Sequence, residues 1–106
     1  MNEEIELIHI GHSEDIEQDC VENFEHDDRD YAIFHLKSGF FATQGHCTCE
    51  DQAFFSEGNV EGEELECASC GRTFSIVSGD PISDPEAEPL KIYDVNEESG
   101  NLYLSL

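Results

Sequence analysis

Basic residues are scarce in this sequence. Four Lys and Arg stand against 26 Asp and Glu, for a formal net charge of −22. Phosphate binding depends on Lys and Arg, so the deficit excludes nucleic acid as an expected partner. Long apolar runs are missing as well. None approaches the roughly 20 residues that span a bilayer, and Met1-Asn2-Glu3-Glu4 has neither the basic nor the apolar part of a signal peptide. The chain is therefore expected to have no membrane anchor and to work in the cytoplasm. Tryptophan is absent and only 38% of the residues are hydrophobic. A chain of 106 residues has room for one compact domain with a modest core, so residues 1–106 are expected to form a single unit. A metal that ties distant segments together would help so self-repelling a fold. The acidity itself reads either as solubility or adaptation to high salt, or as steering toward a basic protein surface.

Cysteine, by contrast, is present in an informative pattern. Cys47-Thr48-Cys49 and Cys67-Ala68-Ser69-Cys70 are two close pairs separated by 17 residues, with Cys20 left over. In a reducing compartment such pairs point to metal ligation before disulfides. A CxxC turn aims two sulfurs the same way, and two loops can close a four-sulfur site around one ion or one cluster. The spacing identifies the site but separates zinc from iron-sulfur only weakly. Cys20 has no partner spacing and is expected as a small buried apolar residue. His46 abuts Cys47 and could serve as a ligand in a one-metal site, although a supporting or surface role is the expectation. His9, His12, His26 and His35 carry no spacing signal. Gly58, Gly62, Gly71 and Gly79 read as turn residues, with no phosphate-binding pattern. No Ser, His and Asp set is placed for nucleophilic catalysis, and the carboxylates read as a solvated face.

Strand signals dominate the rest. In the acid-rich first 30 residues, Ile5, Leu7, Ile8, Ile10, Val21 and Phe24 recur often enough for short strands, with one helical turn near Ser13 to Glu17 that Ser13 could cap. Tyr31 to Leu36 is rich in β-formers, Lys37-Ser38-Gly39 supplies a turn, and Phe40 to Thr43 returns toward the first cysteines. Short strands are predicted near Asn59-Val60, over Glu64 to Glu66 and over Phe74 to Val77. Ser78-Gly79-Asp80-Pro81 turns the chain, and three prolines up to Pro89 exclude a central strand or helix. Leu90 to Val95 and Asn101 to Leu106 form a closing hairpin across Glu98-Ser99-Gly100. Eight or so short strands predict an all-β, antiparallel sandwich or barrel.

Several of these segments occur together, in order, in one family. Phe40-Phe41-Ala42-Thr43, Cys47-Thr48, the stretch from Ser56-Glu57-Gly58 through Leu65-Glu66-Cys67, Phe74-Ser75-Ile76-Val77-Ser78-Gly79 and Pro89 to Val95 resemble a Rieske-type ferredoxin over about two thirds of the chain. The resemblance implies a Rieske-like β fold with a small cluster-binding subdomain, its loops at about 44–52 and 66–74. It implies a [2Fe-2S] cluster held by Cys47, Cys49, Cys67 and Cys70. Phe54 and Phe55 would either partly cover the site, in the loop that packs over it, or simply be core, with partial cover the expectation. The family's two histidine ligands correspond to Cys49 and Cys70, the proline after the second-loop cysteine is Ala68, and the first loop is one residue longer than is usual. By position Cys47 and Cys67 would hold the inner iron, and Cys49 and Cys70 the outer one.

Four anionic thiolates favour the oxidised cluster. The potential should therefore fall from the Rieske range, about −150 to +300 mV, toward the plant-ferredoxin value of about −400 mV. Without imidazole ligands it should also be nearly independent of pH near neutrality. The resemblance further implies a monomeric electron carrier with no substrate chemistry of its own, serving between an NAD(P)H-dependent flavin reductase and a terminal oxygenase. A four-cysteine zinc or single-iron domain acting as a binding or regulatory module is the alternative.

Overall fold

The computed structural model describes residues 7–49 and 52–105. Ile5 and Leu106, both expected in strands, lie outside the described residues, as do Glu50 and Asp51 of the first cysteine loop. Among the described residues there are nine strands: β1 (Leu7–His12), β2 (Cys20–His26), β3 (Arg29–Leu36), β4 (Gly39–Gln44), β5 (Asn59–Glu61), β6 (Glu64–Glu66), β7 (Thr73–Ser75), β8 (Ile92–Glu98) and β9 (Asn101–Ser105). They form an antiparallel six-stranded sheet, β1-β9-β8-β4-β3-β2, and a three-stranded sheet, β5-β6-β7. The all-β architecture with a small second sheet is the one expected. No helix among the described residues is long and apolar enough to cross a membrane.

β3 organises the interior because it is apolar on both faces. Ala32, Phe34 and Leu36 point into one core with Cys47, Phe55, Leu65, Cys67, Phe74 and Ile76. Tyr31 and Ile33 point into the other, with Ala42, Leu102 and Leu104. Alternation along a strand makes this division unavoidable once both sides are covered. The first core underlies the cysteines, and each large side chain fully buried in it contributes about 1.5–3 kcal/mol.

Turn chemistry sets the register. Asp27 and Asp28 join β2 to β3 with φ of 51° and 63°, and Ser99 and Gly100 join β8 to β9 with φ of 51° and 82°. Two consecutive left-handed residues make the tight link whose twist suits an antiparallel hairpin.

Four local expectations need correction. The turn after β1 is a 3-10 turn over Ser13–Asp15 with His12 at its cap position, and the Asp15 carboxylate accepts from the His12 amide at 3.0 Å. Ser13 is thus inside the turn. The third sheet strand stops at Ser75, not Val77, because the Ser75 carbonyl already accepts from the Gly79 amide at 2.8 Å in a turn closed by left-handed Gly79. The closing strand starts at Ile92. Leu90 is spent as a core anchor whose amide donates to the Gly79 carbonyl at 2.8 Å. Finally, Cys20 is exposed. It opens β2, an edge strand where Val21, Phe24 and His26 are the partly covered residues and Cys20 falls outside their pattern.

Candidate metal centre

Each cysteine pair sits at the tip of a small hairpin. The first leaves β4 at Gly45, whose amide donates to the Asp30 carbonyl and whose own carbonyl accepts from the Phe55 amide, both at 2.9 Å. Inside that base, the Cys47 amide donates to the Ala53 carbonyl at 2.9 Å and the Gln52 amide to the Cys49 carbonyl at 3.0 Å. Gly45 is required at the base, since a Cβ there would stand 2.6 Å from the Asp30 backbone. The second hairpin is tighter. The Cys67 amide donates to the Arg72 carbonyl at 2.9 Å and the Gly71 amide to the Cys67 carbonyl at 3.1 Å, with Gly71 at φ 75°. Only glycine adopts that conformation without a steric penalty.

The two tips bring all four expected sulfurs together. The Sγ atoms of Cys47, Cys49, Cys67 and Cys70 lie within 4.8 Å of one another. The Cys47–Cys70 pair is 3.6 Å apart and the Cys49–Cys67 pair 4.0 Å. Cys47 and Cys67 are each only 2% exposed, whereas Cys49 is partly covered and Cys70 open to solvent. Beneath the buried pair lie Phe55 and Phe74, their ring centroids 6.1 Å apart. Phe55 is therefore a floor, not a cover; the exposed Phe54 ring lies 4.2 Å from His46.

The sulfur environment disfavours bare thiolates. Burial pushes the Cys47 thiol well above the ordinary thiol range and raises Cys70 as well. Desolvation disfavours the thiolate, so the deprotonated form of this cluster needs a positive charge at its centre. Four cysteine sulfurs are the donor set for a single tetrahedral zinc or iron and for a [2Fe-2S] cluster alike.

Cys20 stands outside this group, as expected for a non-ligand. His46 stands outside it too and is held on both sides of its ring. Its Nε2 lies 2.8 Å from Asp30 Oδ2 and its Nδ1 3.0 Å from the Gln52 carbonyl. The hydrogen bond to Asp30 raises the His46 pKa above its ordinary value, while hydrogen bonds from Asn23 and His46 hold the Asp30 carboxyl below its own. Neither Asp30 nor Gln52 is singled out by the sequence. Asp30 is 16 residues from His46, and no local pattern announces the contact.

Comparison with known proteins bears on which group these sulfurs hold. Residues 6–94 match the family model described as the Rieske [2Fe-2S] domain. The chain is 36% identical over 73 residues to the biphenyl dioxygenase ferredoxin subunit of Pseudomonas sp. (strain KKS102), an alignment covering 69% of this chain and 67% of that protein. It is 32% identical over 74 residues to ferredoxin CarAc of Metapseudomonas resinovorans, covering 70% and 68%. Among solved structures, a chain from the complex of reduced oxygenase and oxidized ferredoxin in carbazole 1,9a-dioxygenase superposes with a TM-score of 0.86 at 25% identity, over 93% of this chain and 92% of that one. By family model, sequence identity and fold together, the chain belongs to the Rieske [2Fe-2S] domain family.

Proposed function

We propose that the chain is a one-electron carrier whose [2Fe-2S] cluster is held by Cys47, Cys49, Cys67 and Cys70. Its relatives are ferredoxin components of dioxygenase systems, electron carriers that leave substrate chemistry to another protein. The observation that carries the reading is the convergence of four thiols within 4.8 Å on a Rieske fold. When bound, the cluster supplies one reversible electron.

The chain's own residues divide the remaining work. Cys47 and Cys67, sealed above Phe55 and Phe74, keep water from the inner side, consistent with their assignment to the inner iron. Cys70, exposed at the second tip, gives the shortest path outward. The electron would come from an NAD(P)H-dependent flavin reductase and pass to a terminal oxygenase. A net charge of −22 suits fast, short-lived docking against basic patches.

A second reading draws on the sulfur distances. Four sulfurs about 2.3 Å from one tetrahedral metal lie about 3.8 Å from each other. The 3.6 and 4.0 Å contacts match that edge, and they join Cys47 to Cys70 and Cys49 to Cys67, across the inner and outer pairs. A single zinc or iron would suit these two edges, and the remaining sulfur separations are at most 4.8 Å.

Iron, zinc and acid-labile sulfide per chain, measured on protein purified without air, together with the visible spectrum before and after dithionite, test the assignment. Two irons and two sulfides, with colour that bleaches, are expected. One metal without sulfide would replace the cluster by the tetrahedral site. A redox titration should then place the potential near the plant-ferredoxin value of about −400 mV, with little pH dependence near neutrality; a high, pH-dependent potential would contradict all-thiolate ligation.

A further inference from the structure

His46 spans the first hairpin in a way that the cysteines alone do not explain. The Gln52 carbonyl and the Asp30 carboxylate can only accept, and one ring nitrogen of His46 faces each of them, at 3.0 and 2.8 Å. Each acceptor is itself fixed. Asp30 Oδ1 accepts from Asn23 Nδ2 at 3.0 Å, and the Asp30 backbone carries the Gly45 amide at 2.9 Å. Gln52 has φ 47°, a left-handed backbone in a residue that is not glycine. Such a conformation persists only where surrounding contacts impose it. The imidazole meets that demand by capturing the carbonyl of the strained residue. Phe54, paired with His46 across the hairpin, closes over the ring at 4.2 Å.

We propose that His46 is the positioning residue of the first ligand loop, tying the returning limb of the hairpin at Gln52 to β3 at Asp30 so that Cys47 and Cys49 meet Cys67 and Cys70. The inference rests on the reading that these cysteines hold a metal, and it holds for a cluster or a single ion. His46 itself does not ligate. It acts on the loop from which two of the four sulfurs project.

The two ties can be cut separately in the full-length metal-loaded protein. His46→Ala removes both. His46→Asn keeps a donor near the place of Nδ1 and so keeps the Gln52 tie, whereas His46→Gln keeps one near Nε2 and so keeps the Asp30 tie. The readouts are metal content as purified, the rate of metal transfer to a chelator and the visible circular dichroism of the bound centre. His46→Ala should transfer metal about 10- to 100-fold faster, the range typical of lost supporting contacts at metal sites. Its visible dichroism should be altered while far-ultraviolet dichroism stays unchanged. His46→Asn and His46→Gln, each keeping one of the two ties, should transfer metal at rates between those of the parent and His46→Ala, and Gln52→Gly, which removes the left-handed strain, should partly rescue His46→Ala. A His46→Ala transfer rate within about twofold of the parent, with unchanged visible dichroism, overturns the proposal. So does a His46→Asn variant as impaired as His46→Ala. Failure of the ligand reading itself looks different, because Cys47→Ser would then retain as much metal as the parent.

Discussion

The two cysteine hairpins reach the same end by different means. The second holds its shape locally: two main-chain hydrogen bonds between residues four and five apart, and a left-handed glycine, turn Cys67 and Cys70 to one side. The first is wider and borrows its rigidity, from the β3 backbone through Gly45, from the interior through Phe55, and from Asp30 through His46. A compact turn specifies itself, whereas a longer one is specified by what it is packed against. The first loop should accordingly respond to distant substitutions and the second only to its own.

The contrast can be broken most severely at the sulfurs. Cys47→Ser and Cys67→Ser should each abolish metal retention, because both sit at 2% exposure with no solvent to replace the lost ligand. Cys70→Ser should retain part of the metal with a shifted visible spectrum. Metal and sulfide analysis decides between these outcomes. Next in size, Phe55→Ala should cost about 3–5 kcal/mol in denaturant unfolding of the metal-loaded protein. Amide exchange should show it loosening the first hairpin, where the Phe55 amide closes the base.

Gly71→Ala sharpens the comparison from the other side. Open space surrounds its Cβ position, so only the left-handed φ of 75° opposes the change, a cost of about 1–2 kcal/mol. The exchange rates that rise should be confined to residues 67–72. The smallest effect is electrostatic. The folded-state pKa of Asp30 lies below its ordinary value of 3.8. Its contribution to stability is therefore present above that pH and lost as pH falls through the lower folded value. Asp30→Asn should be less stable than the parent at neutral pH, and the gap should close on acidification; a gap that widens would contradict the assignment.

Much of this was legible in the sequence for physical reasons. The hairpin through Lys37-Ser38, the prolines before β8 and both cysteine tips are local signals, readable from alternation and turn chemistry. The dependence of the first loop on Asp30 was not, since a side-chain contact across 16 residues leaves no periodicity. The end of β7 leaves no such signal: Phe74 to Val77 is apolar enough to continue, whereas a hydrogen bond from Gly79 to Ser75 ends it. The exposure of Cys20 is equally silent in the sequence, because burial follows position at a sheet edge more than residue type.

The close fit of Gly45 against Asp30 also determines where the chain can change length. The main-chain bonds at Gly45, Cys47 and Phe55 fix the base of the first hairpin, so an added residue at 45–47 or 53–55 would break the register by which Cys47 is delivered. The Gln52 amide donates to the Cys49 carbonyl at 3.0 Å, so a residue added between these two would break a further bond of the same hairpin.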